Sequence, residues 1–244
     1  MHRPEDLFTR YHLYQDMLEQ PHLLIAGATG SGKSVVINGL IYTALLRNSQ
    51  SAQFVLIDPK RVELAMYKGL PHVLRYASEP GEMLDAIRYC MELCEQRYRV
   101  MQRQGVRKYT GGDVWLVIDE FADLMTTQAR AVKPLIQRLA QIGRAAKVHV
   151  ILATQTPISK VLPTEIKCNF DSRIGLRTRS AQDSRNILGY SGLELLPRYG
   201  ECVYMKPEGD VRTKVPYIDD AELSRMVNHW KGVMHRKLSR WFRR

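Results

Sequence analysis

The run Gly27-Ala28-Thr29-Gly30-Ser31-Gly32-Lys33-Ser34 constrains this chain more than any other feature, because it spells a complete phosphate-binding loop. The segment before it, His22-Leu23-Leu24-Ile25-Ala26, is short, apolar and free of turn residues, as a buried strand is. The segment after it, Val35 to Leu46, carries Val36, Leu40, Ile41 and Leu45 at helical spacing. Strand, loop and helix in that order are the context the motif requires. The glycines let successive backbone N–H groups face the phosphates, and the positive end of the following helix adds to their pull. Lys33 is placed to reach the β- and γ-phosphates, and the Ser34 hydroxyl to ligate Mg²⁺. The implied ligand is a nucleoside triphosphate.

A second nucleotide motif lies downstream. Val114-Trp115-Leu116-Val117-Ile118 runs directly into Asp119-Glu120. A buried strand ending in acids places them at the carboxyl edge of a sheet, beside the phosphate loop. Asp119 then holds the Mg²⁺ shell, through water, and Glu120 orients or deprotonates the attacking water. Gln155 ends the neighbouring strand candidate, Val148 to Ala153, with Thr154 between them. Its amide can bond both a γ-phosphate and the attacking water, or simply cap the strand; spacing alone does not choose. Arg144 follows Gly143 between a helix and that strand. It is placed to project across a subunit boundary as an arginine finger. In so basic a chain a solvated surface arginine is the simpler account.

Between these motifs the chain reads as alternating strands and helices. A strand is expected over Gln53–Ile57, stopped by Pro59, which cannot donate to a ladder. A long helix is expected from Ser78, as its cap, to Gln104, with Gly105 ending it. A shorter helix around Val132–Ile142 carries Pro134 near its start. Later strand candidates are Arg173–Leu176, Glu201–Met205 and Thr213–Tyr217, before a final helix from about Asp219. The pattern predicts an α/β fold with a mostly parallel central sheet flanked by helices. No repeat or linker interrupts it, so one domain accounts for the 244 residues.

A net charge of +11 points to a polyanionic partner, most simply nucleic acid. No apolar run approaches the roughly 20 residues a bilayer span requires, and the N-terminus lacks a signal-peptide core. The expectation is a cytoplasmic chain with no direct membrane insertion. Cys90 and Cys94 lie one helical turn apart, while Cys168 and Cys202 stand alone, which fits packing in a reducing compartment better than a metal site.

Taken together, Pro21–Ser34 (PHLLIAGATGSGKS), Leu56–Leu64 (LIDPKRVEL), Val117–Met125 (VIDEFADLM), Arg138–Thr156 (RLAQIGRAAKVHVILATQT) and Asp183–Leu188 (DSRNIL) resemble the FtsK/SpoIIIE family of DNA translocases. The resemblance runs from about residue 20 to about residue 230, in order and at family-like spacing. It implies a RecA-like P-loop NTPase that binds ATP with Mg²⁺, assembles as a homo-oligomeric, hexameric ring and pumps double-stranded DNA. It places the family's arginine finger on Arg144, its γ-phosphate sensor on Gln155, and pore-facing basic residues at Arg177, Arg179 and Arg185. Thr156 and Ala181 depart from the family, which commonly has arginine and lysine there. Arg177 and Arg179 are then the replacements for the two missing charges.

The larger relatives' membrane segments and winged-helix module do not fit this length, so membrane anchoring and sequence-guided direction are not carried over. The expected division is an N-terminal arm over 1–20, a motor domain over 21–218 and a basic C-terminal helix or tail over 219–244. From Ser224 onward the chain holds Arg225, Lys231, Arg236, Lys237, Arg240, Arg243 and Arg244 and no acid, which suits contact with DNA or an acidic partner. The setting expected is chromosome partition or transfer of a mobile element. Alternatives are a conjugative coupling-type ATPase acting on single strands and a secretion-type ATPase moving polypeptide.

Overall fold

The computed structural model describes residue 8, residues 13–47 and residues 51–241, with side chains as far as residue 232. Its centre is an eight-stranded sheet in the order β3-β2-β4-β5-β1-β6-β7-β8. These are β1 (His22–Ala26), β2 (Gln53–Ile57), β3 (Val73–Ala77), β4 (Val114–Ile118), β5 (Val148–Thr154), β6 (Ser172–Leu176), β7 (Glu201–Met205) and β8 (Val211–Lys214). The first six run parallel, and β7 and β8 add antiparallel pairs at one edge.

Strand alternation sorts the apolar residues onto two faces. Leu23, Ile25, Phe54, Leu56, Trp115 and Val117 face one layer of helices. That layer holds α1 (Leu13–Glu19), α2 (Lys33–Arg47) and α8 (Asp220–Trp241), the last through Leu223, Met226 and Val227. Leu24, Val55, Ile57, Val114, Leu116 and Ile118 face the other. There lie α3 (Pro80–Gln104), α4 (Phe121–Thr127), α5 (Ala129–Ala146) and the short α6 (Thr164–Lys167). Helix α7 (Ala181–Leu188) packs on β6. No helix among the described residues is long and apolar enough to cross a membrane.

Several elements differ from the sequence reading. Helix α3 begins one residue later than expected, with Glu79 rather than Ser78 at its cap. The Glu82 carboxylate accepts the N–H groups of Ser78 and Glu79 at 3.2 and 3.3 Å, and Pro80 takes the first turn, where its missing N–H costs nothing. Helix α5 starts earlier, so Pro134 lies inside it rather than near its start and forgoes one intrahelical bond. The last strand spans Val211–Lys214, not Thr213–Tyr217. Cys90, Cys94 and Cys202 are buried, and burial pushes the Cys94 thiol up to about 12, but Cys168 is exposed. In the basic C-terminal stretch, the side chains of Arg236, Lys237, Arg240 and Trp241, together with Arg243 and Arg244, lie outside the described residues, as does most of the 1–12 segment.

Candidate functional site

Register brings the motifs to one edge. Ala26 aligns with Thr154 of β5 and with Gly175 of β6, and Ile118 of β4 with Leu152. The chains leaving β1, β4, β5 and β6 therefore emerge side by side at the carboxyl edge, where open parallel sheets place their ligands. The phosphate loop is moored on both sides: the Gly27 N–H donates to the Thr154 carbonyl at 3.3 Å, and the Ala28 N–H to that of Arg177 at 2.7 Å. A Cβ on Gly27 would sit 2.6 Å from the Leu176 Cβ, so only glycine fits. Gly32 holds a left-handed φ of 110°, and a Cβ there would lie 3.1 Å from the Gly200 Cα. The turn before β7 is thus seated on the loop, and the Gly200 N–H donates to the Ser31 carbonyl at 3.1 Å.

Lys33 and Asp119 meet as a buried ion pair, 5 % and 1 % exposed. The Lys33 ammonium also donates to the Asp119 carbonyl at 2.6 Å. Burial holds the Asp119 carboxyl above the usual carboxylate range despite the opposing pull of Lys33, and the nearby Asp58 and Glu120 push the same way. Oδ2 of Asp119 is buried without a partner, as is Oδ1 of Asp58 at the end of β2. An unpartnered acid oxygen on Asp119, with the hydroxyl of Ser34 next in the chain to its ion-pair partner Lys33, is the kind of oxygen donor a small hard cation takes.

Glu120 is 3 % exposed and heavily bonded. Its Oε1 accepts the Thr154 hydroxyl at 2.7 Å and the Ala122 N–H at 3.4 Å. The Gln155 N–H reaches both carboxylate oxygens, at 3.2 and 3.1 Å. The Gln155 side-chain oxygen in turn accepts the Thr29 hydroxyl at 2.7 Å. Gln155 therefore joins the phosphate loop, through Thr29, to Glu120.

A cavity of about 560 Å³ opens from Gly32, Lys33 and Ser34 toward Tyr199, Val215 and Tyr217. The tyrosines escaped the sequence reading. The only signal for them was an aromatic residue flanking each of the last two strands. On the loop's other side a cavity of about 410 Å³ is bounded by Arg177, Arg179, Arg198 and Glu194. Arg177 is half-buried and donates to the Leu196 carbonyl at 3.0 Å, while Arg179 is exposed. Arg185 stands apart, exposed on α7.

Arg144 is not part of this cluster. It lies exposed near the end of α5, just before β5 begins, at the opposite edge of the sheet. The seven residues of β5 put about 20 Å between it and the phosphate loop. A Cβ on Gly143 would lie 2.3 Å from the Val148 carbonyl oxygen, so glycine lets the helix end press against β5 and leaves Arg144 facing outward.

A parallel sheet with a phosphate loop after its central strand, and an acidic pair two strands away across β5, defines a P-loop ATPase domain. The chain belongs to the FtsK/SpoIIIE family, which it matches over residues 1–115 and 112–159. It is similar to the DNA translocase FtsK of Rickettsia prowazekii, at 34 % identity over 264 residues covering 90 % of this chain and 36 % of the relative. The DNA translocase FtsK of Brucella melitensis is 36 % identical over 261 residues, covering 88 % and 32 %. The chain thus spans about a third of the length of these relatives. Among solved structures, the cytoplasmic domain of the Thermomonospora curvata type VII secretion ATPase EccC matches with a TM-score of 0.75 at 26 % identity, covering 86 % of this chain and 28 % of that one. The pCW3 conjugation coupling protein TcpA shares the fold, with a TM-score of 0.77 at 24 % identity over 87 % of this chain and 66 % of that one.

Proposed function

We propose that this chain is the motor of a double-stranded DNA translocase, hydrolysing ATP at sites shared between neighbouring subunits of a ring. The motor unit is residues 21–218, and helices α1 and α8 from the flanking 1–20 and basic 219–244 stretches pack on its core through Leu13, Met17, Leu223 and Met226. The observation that carries this reading is the division of the machinery. Lys33, Asp119, Glu120 and Gln155 converge at one sheet edge, while Arg144 stands exposed at the other. An arginine so placed cannot serve its own site, but it can reach that of a neighbour.

When ATP enters, the Lys33 ammonium exchanges Asp119 for the β- and γ-phosphates. Ser34 and Asp119 would hold Mg²⁺, which neutralises charge on the phosphate oxygens. Glu120 takes a proton from the attacking water, whose oxygen bonds to the γ-phosphorus while the bond from that phosphorus to the β–γ bridging oxygen breaks, giving ADP and inorganic phosphate. Gln155 already bonds Glu120 through its N–H and Thr29 of the loop through its side-chain oxygen, and its side-chain amide NH₂ would donate to the γ-phosphate. Tyr199 and Tyr217 flank the cavity into which the adenine base extends from the loop. Arg144 of the adjacent subunit balances the charge on the transferring group. Arg177, Arg179 and Arg185 are the candidate contacts to DNA phosphates, which position without reading sequence.

The test is the ATPase rate with duplex DNA, single-stranded DNA and none. Duplex should stimulate most, and Glu120→Gln should bind ATP yet lose at least 100-fold in turnover, on the order of a lost catalytic base. Stimulation by single strands alone would favour a coupling-type ATPase. Indifference to all nucleic acid would move the reading to polypeptide cargo.

A further inference from the structure

The loop Asp58-Pro59-Lys60-Arg61-Val62-Glu63-Leu64 carries a family-like motif to which the mechanism above gives no role. Its backbone is pinned: the Leu64 N–H donates to Asp58 Oδ2 at 2.9 Å and the Arg61 N–H to the Asp58 carbonyl at 3.2 Å, with Arg61 at a left-handed φ of 58°. Glu63 lines the cavity beside the phosphate loop, and Arg61 pairs with Glu79. Lys60 turns inward, its ammonium 3.6 Å from Glu120 Oε2.

That contact sets a positive charge beside a carboxylate already held by hydrogen bonds. An ionised carboxylate offers about four acceptor sites. The Thr154 hydroxyl, the Ala122 N–H and the shared Gln155 N–H already draw on them. Among the described residues Oε2 accepts only the shared Gln155 N–H, and the Lys60 ammonium stands over it as an ion pair, so a positive charge lies in front of the lone pair that would take a proton from water. Of these groups, two are main-chain amides and one is a fully buried hydroxyl whose oxygen accepts the Thr156 N–H at 3.1 Å. Lys60 is different: it is 46 % exposed, on a flexible four-carbon stem, and its 3.6 Å separation exceeds a hydrogen bond. It is the one partner that can be withdrawn without unfolding anything.

We propose that Lys60 is a latch on Glu120, and that a nucleic-acid phosphate reaching the exposed Lys60–Val62 tip draws the ammonium away and frees Oε2 for water. This rests on the translocase reading and gives it a route from cargo to chemistry. Lys60 is a positioning residue, since it acts through Glu120. The tip projects with Arg61 at 60 % and Val62 at 71 % exposure, in a chain of strongly positive charge. The γ-phosphate of bound ATP offers the same chemistry, and the two sources separate by experiment.

The measurement is kcat and KM for ATP in the full chain, with and without duplex DNA, for wild type, Lys60→Met and Lys60→Arg. Lys60→Met should raise the DNA-free kcat at least threefold, leave KM within twofold and lose at least half of the stimulation by duplex. Lys60→Arg should keep the low basal rate and the stimulation. Unaltered ATP affinity in Lys60→Met establishes that the fold is intact. A DNA-free kcat at or below wild type overturns the latch, either because γ-phosphate alone withdraws Lys60 or because Glu120 needs it, and leaves the translocase reading standing. A wild-type rate that duplex does not change fails that reading, and with it the nucleic-acid release of Lys60.

Discussion

In the proposed mechanism Lys33 has two partners to serve, Asp119 and the phosphates, and holds only one at a time. Without nucleotide it neutralises Asp119 in a site nearly closed to water. Removing one member of such a pair strands the other charge, at a cost of about 3–5 kcal/mol. Lys33→Met should therefore lose ATP binding and also unfold at lower denaturant, because Asp119 is left buried and unpaired. Adding Asp119→Asn should return most of the stability while restoring no binding. Urea unfolding of the two variants measures this directly, and a double variant no more stable than Lys33→Met would show that the pair is not the cause. At this scale the sequence was most legible where chemistry demands neighbours in the chain. The phosphate loop and the Asp119–Glu120 pair could be read because their residues are contiguous. Lys60 could be quoted but not interpreted, because its carboxylate partner, Glu120, lies 60 residues away. Tyr199 and Tyr217 carried no motif at all.

Among the elements, β1 and β4 were legible because each is a largely apolar run buried at every position, as a central parallel strand covered on both faces is. Strand β3 was missed: it lies at the sheet edge, only Ala77 is fully buried, and its residues show no alternation. The same burial sets a pH dependence at the start of β1. His22 Nδ1 accepts the Val150 N–H at 3.2 Å, which requires the neutral ring. Burial first, and the neighbouring His149 second, push its pKa down to about 3. An unfolded histidine titrates near 6.5. The unfolded chain thus binds the extra proton across this interval, and the stability His22 provides above pH 6.5 is lost as pH falls through its folded value. The slope is at most about 1.4 kcal/mol per pH unit for one such group. His22→Asn keeps an acceptor for Val150 without titrating there. Its urea midpoint should fall less steeply than wild type between pH 6.5 and 4, even though losing the ring beside Phe170 lowers it at neutral pH. Parallel curves would place the acid sensitivity elsewhere, with His149, also held below its usual range by burial, as the next candidate.

For the whole molecule, strand order is what the sequence could not supply. Period and composition give strands, but only the folded sheet inserts β5 between β1 and β4 and so carries Gln155 to Glu120. The same topology sends Arg144 to the far edge, so within one chain it does not meet the phosphate loop, and the shared site proposed above needs a second subunit to join them. Two inactive variants should then complement each other. Lys33→Ala lacks the phosphate contact but keeps a sound Arg144; Arg144→Ala is the reverse. In a random equal mixture about a quarter of the interfaces of a ring unite an intact loop with an intact arginine. Each variant alone should be nearly inactive, while the mixture should regain activity toward that fraction, less if sites must fire together. The recovery should depend on assembly and vanish on dilution below the concentration at which subunits associate. A mixture as inactive as its components, under conditions where light scattering shows mixed oligomers, would remove Arg144 from the site and leave it a solvated surface residue.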